Sequence, residues 1–177
     1  MTLHLVDVSR WQVERSDPLN LEDARNVGMG AVNIQLDRGR QDDVLPTWAR
    51  MYADRARALG LGISTYRWLD NRLPGAESAR RAFERMQQIG GPADMAHVVD
   101  CEDNALEQHL RDYVTTMTGL LGRPIAVYTG RWWLQPRGWR INDLSPYLWA
   151  APSAGYLGSY PGDDSPHWTV AYGGHPT

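Results

Sequence analysis

The 177-residue chain has no lysine, and all 18 of its basic side chains are arginine. Mechanisms built on a lysine amine are therefore excluded. Cys101 is the only cysteine, which rules out an internal disulfide and a cysteine metal cluster. Phe83 is the only phenylalanine, set against eight Trp and eight Tyr. Positive charge is not in excess: the net charge is -3 and the pI about 5.9. Nothing here offers a basic footprint for nucleic acid or an anionic membrane. No apolar run approaches the ~20 residues that span a bilayer. The stretch from Met1 to Asp7 lacks a positive segment followed by a long apolar one. The expectation is a chain made in the cytoplasm, without a secretory leader and without membrane insertion.

What is present fits one soluble domain. Hydrophobic residues make up 42% and charged residues 22%, ordinary values for a globular protein. The length suits a single domain over residues 1–177 with a core of its own. No repeat, low-complexity segment, interdomain linker or separate binding module stands out.

Short β-rich runs alternate with helical patterns. Strands are expected over 3–8, 31–36, 62–68, 96–102 and 124–129, and helices over 19–27, 44–59, 76–89 and 104–121. The second helix shows apolar residues at helical spacing (Leu45, Trp48, Ala49, Tyr52, Ala56, Leu59), with Gly60 as its stop. Asn104 is the expected N-cap of the last helix, and Gly122 ends it. Beyond residue 130 the helical period disappears, and two further strands are expected at 147–151 and 167–172. Five βα units followed by strands argue for a parallel sheet with helices outside it. A regular eightfold barrel takes ~250 residues, so an irregular barrel or an open doubly wound sheet remains.

Parallel βα folds gather reactive groups at the C-terminal ends of their strands. Acids dominate those positions here. Asp100 and Glu102 are two residues apart and share one strand face, with backbones ~6.5–7 Å apart. Close carboxyls in a partly apolar site push one pKa up, creating a proton donor beside an ionised partner, as glycoside cleavage requires. The competing role is a solvated strand end or helix cap, which suits Asp103 and Asn104. Asp7 is on the first strand and could join the pair, although taken alone a turn contact to Ser9 or Arg10 is the better reading.

Tyr66, Trp68, Tyr128, Trp132, Trp133 and Trp149 could line a cleft, since sugar rings stack their C–H faces on aromatics. For at least half of them the aromatic core is the alternative, and it is the better reading for Trp48 and Tyr52. The five histidines have no metal-ligand spacing. Nucleophile-elbow, Walker A and dinucleotide-binding patterns are missing as well. No metal or cofactor is expected. Cys101 falls on the opposite strand face from the two acids, behind the wall and inert.

Several segments resemble glycoside hydrolase family 25, the Chalaropsis-type lysozymes. Asp7-Val8-Ser9-Arg10-Trp11-Gln12 is similar to the family's D-V-S-x-W-Q opening. Val98-Val99-Asp100-Cys101-Glu102-Asp103 resembles its D-x-E-D strand, and Tyr128-Thr129-Gly130-Arg131-Trp132-Trp133 its Y-T-G-x-W-x segment. Leu148-Trp149-Ala150-Ala151 and the Trp168 and Tyr172 pair are similar to its later L-W-x-A and W-Q-Y stretches. The matches run in the family's order along nearly the whole chain.

The resemblance implies a TIM-like (β/α)5(β)3 barrel and an N-acetylmuramidase. Such an enzyme cuts the β-1,4 bond from N-acetylmuramic acid to N-acetylglucosamine in peptidoglycan, here in the manner of a phage endolysin. Glu102 would be the general acid. Asp100 would orient the substrate's N-acetyl group in a substrate-assisted mechanism, and Asp7 would complete the acidic cluster. Tyr66, Tyr128, Asp37, Trp68, Trp132 and Trp149 would bind the glycan, with the chain taken as a monomer. Two departures stand out: Ile34-Gln35-Leu36-Asp37-Arg38-Gly39 replaces I-K-A-T-E-G, moving the acid to Asp37, and Tyr66-Arg67-Trp68 replaces Y-H-F. The late acid of a V-D-x-N stretch has no match. The alternative function is a catalytically weak wall-binding or virion-associated domain on the same barrel.

Overall fold

The computed structural model describes residues 4–10, 13, 18–37, 45–102, 105–130, 133 and 147–151, the last stretch as backbone alone. The described residues form six strands and four helices, alternating as far as the fifth strand. They are β1 (His4–Val8), α1 (Leu21–Asn26), β2 (Met29–Gln35), α2 (Thr47–Leu59), β3 (Gly62–Leu69), α3 (Gly75–Gln88), β4 (His97–Cys101), α4 (Glu107–Leu121), β5 (Ala126–Gly130) and β6 (Tyr147–Ala151). The strands form one sheet in sequence order, β1-β2-β3-β4-β5-β6, and every pairing is parallel. The predicted alternation is thus realised as an irregular TIM-like barrel sheet rather than a doubly wound one, because strand order never reverses. The expected strand at 167–172 lies outside the described residues.

Local chemistry explains the helix ends. Asn20 caps α1, its side-chain oxygen accepting from the backbone N–H groups of Glu22 (2.9 Å) and Asp23 (3.4 Å), which have no partner inside the helix. Gly60 and Gly122 end α2 and α4 in the left-handed conformation, at φ 69° and 66°, a region costly for residues with a Cβ. The helix α4 begins later than expected, at Glu107 behind Leu106, and Asn104 lies outside the described residues. The Leu106 N–H is taken by Asn71 Oδ1 at 2.9 Å, from the loop after β3.

Strand alternation separates two faces. The outward face presents Val32, Ile34, Ile63, Leu69, Val99 and Val127 to the helices, which return Ala49, Ala56, Ala82, Met86, Leu110 and Met117 into one buried core. Trp48 and Tyr52 belong to it, as expected, and Tyr52 Oη donates to the Leu19 carbonyl at 3.0 Å. Cys101 is also fully buried on this side. At Gly75 the backbone of α4 comes so close that a Cβ would overlap the His109 carbonyl, so only glycine allows α3 and α4 to pack there. The inward face carries a much smaller apolar group, centred on Tyr66, Val98 and Ala126. The rest of that face is polar.

Candidate active site

Three strands place acids toward the same space at the C-terminal end of the sheet. Asn33 pairs with Asp7 in the β1–β2 register, and its Nδ2 donates to Asp7 Oδ1 at 2.9 Å. Asp7 is also hydrogen-bonded to Tyr66, which sits two strands away on β3. In a flat sheet those strands would lie roughly 9–10 Å apart. The contact therefore requires a curled sheet with this face concave. Ser9 interacts with Tyr66, and the Arg10 N–H donates to Gln35 Oε1 at 3.2 Å.

Asp100 is near the end of β4, between Trp68 on β3 and Tyr128 on β5. Its Oδ1 is buried with no hydrogen-bond partner among the described residues. Burial raises its pKa well above the usual carboxylate range, and the charges of Glu102, Asp7 and Asp37 add to the effect. Burial also raises Glu102, which follows the strand and stays half-exposed. Asp7 keeps a solvent-accessible edge, yet protein packs closely round its carboxyl. That enclosure outweighs the bonds from Asn33 and Tyr66, and the pKa rises to about 6. Tyr66 is shifted well upward, first by burial and then by Asp7, Asp100 and Asp37.

Mutual repulsion among these carboxyls adds to burial in favouring the protonated form of Asp100. Asp7, Asp37, Asp100, Glu102 and Tyr66 are brought together. Trp68 and Tyr128 flank them on the same face, each half-buried. The β6 backbone puts Trp149 in register with Tyr128, while its side chain and all of Trp132 lie outside the described residues. Trp133 does not line the cleft. It is 1% exposed in the helix-side core, and its Nε1 donates to the Ala105 carbonyl at 3.0 Å. Among the described residues, no group of three or more His, Cys, Asp or Glu is arranged to hold a metal ion.

Some polar residues of the site escaped the sequence reading. Asn33 and Gln35 lie under the acids, buried, with Gln35 Nε2 donating to Asp37 Oδ1 at 3.4 Å. A signal existed: in Ala31-Val32-Asn33-Ile34-Gln35-Leu36 polar residues take every second position on one face of an otherwise apolar strand. Such period-two polarity inside a buried strand marks a lined cavity.

No family model and no curated protein sequence matches the chain. Solved structures do. One is a glycosyl hydrolase 25 of Streptococcus pneumoniae, GHIP, described as a virulence factor participating in host cell invasion. It matches with TM-score 0.68 at 14% identity, over 93% of this chain and 78% of that one. The catalytic domain of endolysin ply40, from bacteriophage P40 of Listeria monocytogenes, gives TM-score 0.68 at 17% identity, over 93% and 82%. A family GH25 lysozyme from Aspergillus fumigatus gives TM-score 0.65 at 20% identity, over 89% and 81%. The chain also matches longer proteins, of which it spans 51% and 37%. Sheet order, curl and these superpositions agree: the chain has the barrel fold of the glycoside hydrolase family 25 lysozymes.

Proposed function

We propose that residues 1–177 form a peptidoglycan-degrading N-acetylmuramidase, acting on the bacterial cell wall in the manner of an endolysin made inside the cell. The observation that carries this reading is the convergence of Asp7, Asp100 and Glu102 beside Tyr66 at the strand ends of this barrel. Glycoside cleavage needs a proton donor to the leaving oxygen and a second group opposite to stabilise positive charge at the anomeric carbon.

Glu102 is the donor. It follows the end of β4 and is half-exposed, so it can reach a glycan, and burial keeps its proton on in the range where a free glutamate has lost it. Asp100 holds the substrate's N-acetyl group so that its oxygen can attack the anomeric carbon, and its unpartnered Oδ1 is suited to that contact. Asp7, fixed by Asn33 and Tyr66, adds negative charge against the developing cation. After departure of the leaving sugar, the now ionised Glu102 takes a proton from water as the water oxygen bonds to the anomeric carbon and the bond from that carbon to the N-acetyl oxygen breaks, which restores both the acid and the N-acetyl group. Trp68 and Tyr128, with Trp132 and Trp149, bind the flanking sugars, whereas Asp37, which is 3% exposed, acts on the site through its charge.

The test is release of reducing ends and loss of turbidity from purified peptidoglycan. Glu102→Gln should lower release by about 10²–10⁴-fold while leaving wall pull-down intact. Unchanged release in that variant sinks the assignment. A wild-type chain that binds walls but releases nothing is instead a wall-binding domain on the same barrel.

A further inference from the structure

A buried polar network lies on the far side of the wall from the acids. Arg67 is 6% exposed and Asp37 3%. Arg67 belongs to the strand stretch that also carries Tyr66 and Trp68, but alternation turns it toward the helices. Its Nε donates to Ser78 Oγ on α3 at 2.8 Å and stands 3.8 Å from Asp37 Oδ2. The other oxygen, Asp37 Oδ1, accepts from Gln35. Arg85, also from α3, donates to the Leu36 carbonyl at 3.4 Å, one residue before Asp37. The Asp37 carboxylate is thus held from both sides, by an amide on the concave face and a guanidinium on the helix face.

We propose that Arg67 is a positioning residue: from the helix side it fixes Asp37 as a carboxylate at the barrel mouth, and through that charge it keeps a proton on the Asp100–Glu102 pair. The proposal rests on reading that pair as the acid machinery. A carboxylate as enclosed as Asp37 stays ionised only beside a cation. Its charge acts on Asp100 and on Tyr66, in the direction that favours their protonated forms. The groups facing this pair are known from each packed element. Asp37 meets Arg67 from β3, the charge of Arg85 lies close by, and Tyr113 of α4 feels both arginines and Asp37. His97 of β4 feels Arg67 and is kept neutral. Asp100 meets Glu102, Asp7 and Asp37.

The test is a carboxyl NMR titration of the full chain as wild type, Arg67→Met, Arg67→Lys, Asp37→Asn and the double variant Arg67→Met/Asp37→Asn. In Arg67→Met, the uncompensated Asp37 should take up a proton, and the midpoints of Asp100 and of Glu102 coupled to it should fall by about one pH unit. Arg67→Lys should restore them. The double variant should titrate like Asp37→Asn alone, since both changes remove the same charge. A merely structural role for Arg67 predicts no such matching of midpoints. Unmoved midpoints in folded Arg67→Met overturn the proposal. If that variant does not fold, unmoved midpoints in Asp37→Asn overturn it as directly. The upper limb of the peptidoglycan-release profile should shift with the midpoints. A wild type that releases nothing overturns the lysozyme reading, and the titration still decides the role of Arg67.

Discussion

On the helix side of β4, His97 is hydrogen-bonded at both ring nitrogens, to Thr65 Oγ1 at 2.9 Å and to Tyr113 Oη at 2.7 Å, with the Tyr113 ring stacked 6.0 Å away. On the concave side of the same strand, Asp100 has a buried oxygen with no partner among the described residues. Among the described residues, Trp48 Nε1 and Thr129 Oγ1 on the helix side are also buried without a hydrogen-bond partner, and both belong to neutral side chains. The concave face instead gathers carboxyls that repel one another. One sheet therefore separates its tasks by face: the outer one holds the fold together, and the inner one stores unfavourable charge for a ligand to relieve.

Substitutions on the two faces should behave oppositely. The largest effect should come from Trp133→Ala on the outer side, where loss of a buried indole costs about 3–5 kcal/mol. Urea unfolding measures it, and a cost below about 1 kcal/mol would mean that this ring does not anchor the core. Next comes acid. The folded pKa of His97 is held down to about 3 from 6.5 by burial and the nearby Arg67. The unfolded chain therefore binds this proton first, and stability should fall by up to about 1.4 kcal/mol per pH unit as pH drops through that window. His97→Gln should flatten that limb, and a limb of unchanged slope would assign it to other groups.

The smallest effect should have the reverse sign. Asp100 ionises at higher pH in the folded than in the unfolded state. Its contribution to stability is thus greatest in acid and is lost as pH rises toward the folded pKa. Asp100→Asn should then stabilise the fold at pH 7 by about 1 kcal/mol, read as a Tm increase of roughly 2–4 °C, and the gain should vanish near pH 4. A variant destabilised at pH 7 would show that the carboxyl is not strained there. Together the three measurements would show whether stability and charge are divided between the faces as the geometry states.

The strand–helix alternation was legible because parallel strands buried on both faces read as apolar runs, and glycine stops such as Gly60 and Gly122 are local in sequence. The strand at 147–151 coincides with its expected bounds. Asp100 and Glu102 were legible as a pair because spacing of two on a strand is itself a geometric statement. Trp133 was not: an aromatic beside Trp132 has no local feature that tells cleft from core, and its burial depends on the Ala105 carbonyl far along the chain. The acceptor for the Leu106 N–H was not legible for a similar reason, since Asn71 supplies it from another loop. Arg67 read only as a departure from a pattern. Its meaning depends on Ser78 and Asp37, which become its neighbours only when the sheet and α3 come together.

The unbroken strand order has a kinetic consequence. Each strand pairs with the one just before it in the chain, so from β1 to β5 each pairing closes a single βα crossover. Such a closure costs less entropy than pairing strands from opposite ends of the chain would. A chain emerging N-terminus first can add β2 to β1, then β3 to β2, before the next strand has been synthesised. Asp7, from the first strand to form, then waits for Asp100 from the fourth, so repulsion between the carboxyls is met only after most of the helix-side core is in place.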